Sequence, residues 1–470
     1  MLSSRRHDAR TPHGPDGVGG LPSWAGTLLL LLATLAVVSC SLGRETAPER
    51  SSTPAPAAGP ILLITLEGLR SDAVESLGGL PGLTPAIDAL AGEADWWGSA
   101  VAASSSSAPA LATLLSGLRP HDHTAWTSRS PLRAEIETLP EALRARGYRT
   151  HAYLSSDWLR RAPGFLQGFD RTEPLAIARA AERDLRQGSG EPTLWWVELA
   201  LPAAPYRLFP ALLPRLDALG GRVARSGLPE RIGLAEVRRA RSGSLPADEL
   251  ARWWALYCLN VARADQRVGQ LLDALRASGS WDQATVVVAS VRGEELGDYG
   301  SVGADGGLRR RLIEVPLLVK LPASGDGRLA PPEPGTPLAV GGLWATLVEL
   351  AGGEPPPGVV PGWLEDSRAS PTAGAWSERR RPDGRFQVSW VSAGEQVLLE
   401  LDPNQEPSGS RVSRWLPDGS ETPVEDPAEA IAAEAARRWR LDLGGRVLPP
   451  VPELERTRRP SALRRARDSG

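Results

Sequence analysis

Side chains suited to hydrolytic chemistry sit at the ends of apolar runs in this chain. Glu67 closes the strand-like run Ile61–Leu66, and Asp72 follows shortly after. Ser107 ends the run Ser104–Ser107 in front of an apolar helical stretch. A hydroxyl there is either a nucleophile, which needs a base or a metal to activate it, or a helix N-cap. His121 and His123 come after that helix with Asp122 between them. They could serve as base or ligand, or only in structural hydrogen bonds. The run Thr285–Ser290 breaks the pattern, because Val291 and Arg292 follow it. Valine has no donor atom, and a guanidinium has no lone pair for a metal. We expect Arg292 to fill the volume a cation would take and to form a charge-assisted pair with Glu67; the alternative is a side chain pointing into solvent. Glu294 and Glu295 read as acidic residues opening a helical turn.

The elements that would position these groups are legible as runs. Ile61–Leu66, Arg149–Leu154, Thr193–Leu199, Thr285–Ser290 and Val315–Leu321 read as strands. Between them lie helical patterns: one opened by Thr84 and Pro85, then Ala108–Leu118, Glu135–Arg146, Leu250–Ala277 and Leu343–Ala351. Segment 207–247 reads as helices and a loop. Strands alternating with helices predict an α/β domain over 61–370, with a mostly parallel sheet covered by helices. Phe386–Val391, Gln396–Leu401 and Ser410–Leu416 then read as short antiparallel strands, followed by a helix from Asp426 to about Arg440. These form a small α+β subdomain over 371–447, and the Pro/Arg-rich tail 448–470 is expected to be disordered.

Composition limits the function. The 470 residues carry a net charge of −3, which leaves no footprint for nucleic acid. Lys320 is the sole lysine, and the histidines are His7, His13, His121, His123 and His151. Tryptophan is abundant, including the pairs Trp96-Trp97, Trp195-Trp196 and Trp253-Trp254, which suit core packing or a glycan platform. Arg309-Arg310-Arg311 reads as a solvated charge run or an anion-collecting one. Arg5, Arg6 and Arg10 precede the apolar stretch Thr27–Val38. As a helix that stretch would span about 18 Å, too short for a stable membrane span. The sequence Val37-Val38-Ser39-Cys40 resembles the lipobox of bacterial lipoproteins, which implies a signal peptide over 1–40, lipidation at Cys40 and a tether over 41–60. Membrane attachment in the cell envelope follows from that resemblance, and Ser41 favours the outer membrane. Cys258 remains the only other cysteine, in an apolar helical pattern that suits a buried thiol.

Several segments together resemble the sulfatase family of the alkaline phosphatase superfamily. ILLITLEGLRSDAV is similar to its first strand, TPAIDALAGEADWW to its second-helix signature and SAPALATLLSGLRPHDHTA to its nucleophile helix. TVVVASVRGEELGDYG followed by LRRRLIEVPLLVKLP also matches, and the likeness runs from about Ile61 to Leu364. The resemblance implies a site in which a divalent cation neutralises a sulfate or phosphate ester beside a formylglycine made from Cys or Ser. By the same resemblance Glu67 stands at the first metal ligand, with Asp72 as a further remnant, and Ser107 at the modified residue. Leu111 replaces the motif arginine, Val291 and Arg292 replace the second acidic ligand and its neighbour, and Ala304 replaces a distal histidine. The expectation is therefore a pseudoenzyme that holds no cofactor and acts in binding or scaffolding, with an anionic glycan or an envelope protein as partner. The alternative is an active hydrolase that uses Ser107 with Glu67, Asp72 and His121 or His123, and a divalent cation.

Overall fold

The computed structural model describes residues 59–443 (441–443 as backbone only), apart from 175–178, 218, 220–225, 242–244, 305–306, 324–328, 330–336, 365–373, 393, 417–420 and 425–427. The expected signal peptide, Cys40, nearly all of the tether, Asp426 and the tail lie outside the described residues. The described residues belong to one compact unit.

Its centre is an eight-stranded sheet of β1 (Ile61–Glu67), β2 (Trp96–Val101), β3 (Arg149–Leu154), β4 (Arg171–Pro174), β5 (Thr193–Pro202), β6 (Thr285–Ser290), β7 (Glu314–Lys320) and β8 (Leu338–Ala339). The order is β8-β2-β7-β6-β1-β5-β3-β4, and only β7 runs against its neighbours. β1 is central and parallel to both β5 and β6. A strand covered on both faces has no solvent side, so its sequence is continuously apolar rather than alternating. Leu62 and Ile64 pack into the core beneath α2 (Ala247–Ala277), and Ile61 and Leu63 into the core beneath α1 (Ser107–Ser116). Each such buried side chain contributes roughly 1.5–3 kcal/mol.

Helix Pro85–Ala91 forms as expected, but Thr84 does not cap it. The buried carboxylate of Asp265 on α2 accepts from the N–H groups of Ala86 and Ile87, each at 2.9 Å. That cap ties two elements far apart in sequence. The expected helix Glu135–Arg146 shrinks to Leu139–Arg144, opened by a capping box between Thr138 and Glu141. β2 was not anticipated from the sequence. The tryptophan pairs divide by burial: Trp195, Trp196 and Trp253 are buried, Trp96 and Trp254 half-buried, and Trp97 exposed.

The C-terminal part is a five-stranded antiparallel sheet: β9 (Ala375–Arg380), β10 (Phe386–Ser392), β11 (Glu395–Leu401), β12 (Pro407–Trp415) and β13 (Glu421–Pro423). Helix α3 (Ala428–Leu443) packs on it through Ala432, Ala435 and Trp439. Ser377 Oγ donates to Ala102 O at 2.6 Å and Glu378 N to Ala103 O at 2.8 Å, so this sheet braces the segment leading into Ser104–Ser107. Among the described residues no helix is long and apolar enough to cross a membrane.

Candidate functional site

Parallel strands of an α/β sheet leave a crevice at their carboxyl ends. Here β1 ends at Glu67, β5 carries Glu198 near its end, and β6 runs out at Ser290 into Val291–Glu295. Ser107 starts α1 on the same side of the sheet, half-buried. Gly68 makes the junction possible. Its φ is +84°, its N–H donates to Arg292 O at 3.0 Å, and a Cβ there would sit 2.9 Å from Glu294 Oε2. Gly293 is equally constrained, since a Cβ would lie 1.9 Å from Arg311 O.

Arg292 is the centre of the site and is 8 % exposed. Its Nε donates to Ser107 Oγ at 3.0 Å, and its Nη1 donates to Gly293 O at 2.9 Å and Glu294 Oε2 at 2.8 Å. The expected ion pair with Glu67 is thus replaced by one with Glu294. The turn at Gly293 folds Glu294 back over Gly68, where it reaches the guanidinium first. Burial opposes the charge, but Glu294 and then Glu67 more than offset it and the pKa of Arg292 is raised. The helical turn expected at Glu294 and Glu295 is not formed. Glu295-Leu296 instead pairs antiparallel with Val302-Gly303, and the buried Glu295 carboxylate has Arg309 Nη1 at 3.5 Å.

Glu67 is 8 % exposed; its backbone O accepts from Ala203 N at 2.7 Å, and its side chain makes no hydrogen bond or ion pair among the described residues. Glu198, not among the site candidates named from the sequence, is buried beside it. Its carboxylate accepts from Ser155 N (2.8 Å), Ser156 N (2.9 Å), Ser156 Oγ (2.7 Å) and, more weakly, Ser155 Oγ (3.3 Å). Burial and then the charge of Glu67 push its pKa up to about 7, against those serine hydrogen bonds. The one signal in the sequence was a lone carboxylate in the otherwise apolar TLWWVEL.

The other predicted residues are placed elsewhere or engaged. Asp72 is engaged by arginines. Arg70 holds it with bonds of 2.8 and 2.7 Å, and Arg311 Nη1 lies 2.9 Å from it. Arg70 also binds Asp298 at 2.7 and 2.9 Å and stacks over Trp254 at 5.0 Å. The run Arg309–Arg311 is correspondingly not a free surface: Arg310 is buried and paired with Glu314, and Arg311 joins the Asp72–Asp298 network. His123 is fully buried, with Nε2 3.1 Å from Thr113 Oγ1 and Nδ1 accepting from Ala125 N at 3.0 Å. Burial pulls its pKa down to about 3, so it is neutral. His121 Nδ1 is 2.7 Å from Glu378 Oε1 and packs edge-on against Trp439 at 5.0 Å. Although burial opposes its protonation, Glu378 raises its pKa. Neither imidazole hydrogen-bonds Ser107. Leu111 and Val291 are core residues, and Ala304 packs half-buried against the small cluster around Leu308. Lys320 lies at the opposite end of the sheet, where its Nζ donates to Trp281 O at 2.5 Å. Cys258 is a free buried thiol whose pKa burial pushes up.

Whether these residues fit a divalent cation follows from the donors left over. Among the described residues no three His, Cys, Asp or Glu side chains converge as a ligand set. Glu198 accepts from serine donors, Glu294 is paired with Arg292, and Asp72 is held by Arg70 and Arg311. The residues present do not fit a divalent cation.

Residues 60–185 match the family model described as Sulfatase. No curated protein matches the chain in sequence. Among solved structures it is similar to BT1596, a 2-O GAG sulfatase, with 16 % identity over 85 % of this chain and 96 % of that one and a TM-score of 0.65. BT4656, solved in complex with its substrate D-glucosamine-2-N,6-O-disulfate, is 14 % identical over 83 % of this chain and 98 % of that one, TM-score 0.63. The phosphonate monoester hydrolase of Agrobacterium radiobacter is 18 % identical over 82 % and 96 %, TM-score 0.59. The mostly parallel sheet, its helices and the added C-terminal antiparallel sheet are those of the sulfatase fold.

Proposed function

We propose that this chain, built on the sulfatase fold, has given up metal-assisted ester cleavage and works as a binding or scaffolding protein, anchored in the cell envelope by lipid on Cys40. One observation carries the reading: Arg292 places a protonated guanidinium beside Ser107 and paired with Glu294, where the resemblance calls for a metal. A fixed cation at that place supplies charge but no coordination sites to orient an ester and no bound water. Ser107 also lacks a base, since its contact among the described residues is with a donor. A hydrolase acting through Ser107 draws some support from the same contact, because a guanidinium favours an alkoxide. It still requires a group to take the proton.

The pocket charge also separates the two expected partners. The guanidinium is paired with Glu294 and leaves the charge of Glu67 over, which disfavours an anionic glycan at this position and favours a protein partner in the envelope for the scaffolding role. The test joins metal content to turnover. Purified protein is expected to hold no stoichiometric Ca²⁺, Mg²⁺ or Zn²⁺ and to leave aryl sulfate, aryl phosphate and phosphonate monoesters intact. Stoichiometric metal with turnover abolished in Ser107→Ala would overturn the reading. Anchoring is tested separately by fatty-acid labelling that disappears in Cys40→Ser.

A further inference from the structure

Nearly every charge around the crevice is matched within the protein. Asp72 and Asp298 are taken by Arg70 and Arg311, Glu294 by Arg292, and Glu198 by Ser155 and Ser156. Glu67 is the exception: more than nine-tenths buried, with no side-chain hydrogen bond or ion pair among the described residues. It is close enough to Glu198 and Arg292 to act on the charge of each. The Glu67 oxygens are not sealed from solvent, so a ligand can reach them, and a carboxylate with no donor inside the protein favours one that brings a donor, preferably a cationic one.

Beside it lies the opposite demand. Arg292 uses Nε and Nη1 in its three hydrogen bonds, which leaves Nη2 without one among the described residues. Ser107 Oγ accepts from Nε and keeps its own proton to donate. Ser106 and Ser107 are half-buried and Ser155 is exposed, so the crevice is open on their side. The ligand that answers both demands carries a donor for Glu67 and an acceptor for Arg292 and Ser107. Glu294 already neutralises Arg292, so the charge left open is that of Glu67: an anion is repelled and a cation attracted.

On the reading that no metal occupies this site, we infer that the crevice binds a compact primary ammonium carrying a neighbouring hydroxyl, as in an amino sugar with a free amine, and that its charge preference is the reverse of an ester-sulfate site. The ammonium lies on Glu67, and the hydroxyl accepts from Arg292 Nη2.

The experiment is a calorimetric titration of the full-length protein at pH 6.5 with D-glucosamine, N-acetyl-D-glucosamine, D-glucose and D-glucosamine 6-sulfate. Glucosamine is expected to bind about tenfold or more tightly than the acetylated, amine-free or sulfated sugars. Glu67→Gln should erase that preference while leaving the far-ultraviolet spectrum unchanged. Ser107→Ala, a second variant away from the carboxylate, should keep the amine preference while weakening all hydroxyl-bearing ligands. Tighter binding of the 6-sulfate, or equal discrimination by wild type and Glu67→Gln, overturns the inference. The same samples analysed for metal separate the two levels: metal-free protein that ignores glucosamine sinks only this inference, whereas bound metal with ester turnover sinks the reading beneath it.

Discussion

Removing the Arg292 guanidinium should be among the most damaging single changes near the crevice, and the structure gives the size of the effect. Arg292→Ala leaves Glu294, 1 % exposed, without its 2.8 Å partner, and returns Ser107 Oγ to water or to nothing. Breaking a buried pair by deleting one member costs about 3–5 kcal/mol, because the other charge stays buried and uncompensated. Repulsion between Glu198 and its neighbour Glu67 adds to this only while Glu198 is ionised. Glu198, with its pKa pushed up to about 7, is charged at pH 8 and largely protonated at pH 5.5. Urea unfolding should therefore show a loss of about 3–5 kcal/mol at pH 8 and a visibly smaller one at pH 5.5. The double variant Arg292→Met with Glu294→Gln should recover much of that loss, with a coupling of at least about 1 kcal/mol between the two sites. Unchanged stability in Arg292→Ala, or strictly additive effects in the cycle, would refute the claim that the guanidinium is the internal counterion of the site.

The buried His123 predicts acid sensitivity. Its pKa is about 3 in the folded protein against an ordinary 6.5, so between those values only the unfolded chain takes up the proton, and stability falls as pH drops from 6.5 by up to about 1.4 kcal/mol per pH unit. Glu198 works in the opposite sense, since its raised pKa gives stability below about 4.5 that is lost as pH rises through 7; the difference between wild type and His123→Gln in urea titrations from pH 7 to 4.5 isolates the histidine slope. Glu378→Ala removes the carboxylate from His121 Nδ1 at 2.7 Å, with both side chains about 1 % exposed, and should cost about 3 kcal/mol or more. Hydrogen exchange should then rise first across Ala102–Ser107, the segment that β9 braces; uniform exchange would speak against that brace. Rebuilding the second ligand pair as Val291→Asp with Arg292→Asn should create Ca²⁺ or Mg²⁺ binding, seen as about 2.7 kcal/mol of added stability at a hundredfold excess over Kd. Absence of any metal-dependent stabilisation would show that more than these two positions has changed.

What could be read from the sequence followed from burial. β1 and β6 are covered on both faces, so Ile61–Glu67 and Thr285–Ser290 appear as unbroken apolar runs with sharp ends. β2 and β4 give no such signal. Trp96–Val101 is half-exposed along its first turns and contains Gly98, and Arg171–Pro174 is a polar edge strand. Each is held by partners distant in the chain, β7 and β8 for the first and β3 for the second. At the site, residue type alone shows that Val291 and Arg292 make poor ligands, because that is a property of the side chains. The choice of Glu294 over Glu67 as the partner of Arg292 is a property of the backbone at Gly68 and Gly293, which no residue pattern displays. Glu198 was missed for a related reason: its cost of burial is met by Ser155 and Ser156, which follow a different strand. The partners of Asp72 are hidden for the same reason, since Arg70 and Arg311 come from segments far apart in sequence and meet only in the fold. Taken together these corrections move every acidic side chain near the crevice into an internal partnership except Glu67. The matching is electrostatic rather than complete in hydrogen bonds, since neither oxygen of the buried Glu295 accepts one and its counterion Arg309 stands at 3.5 Å.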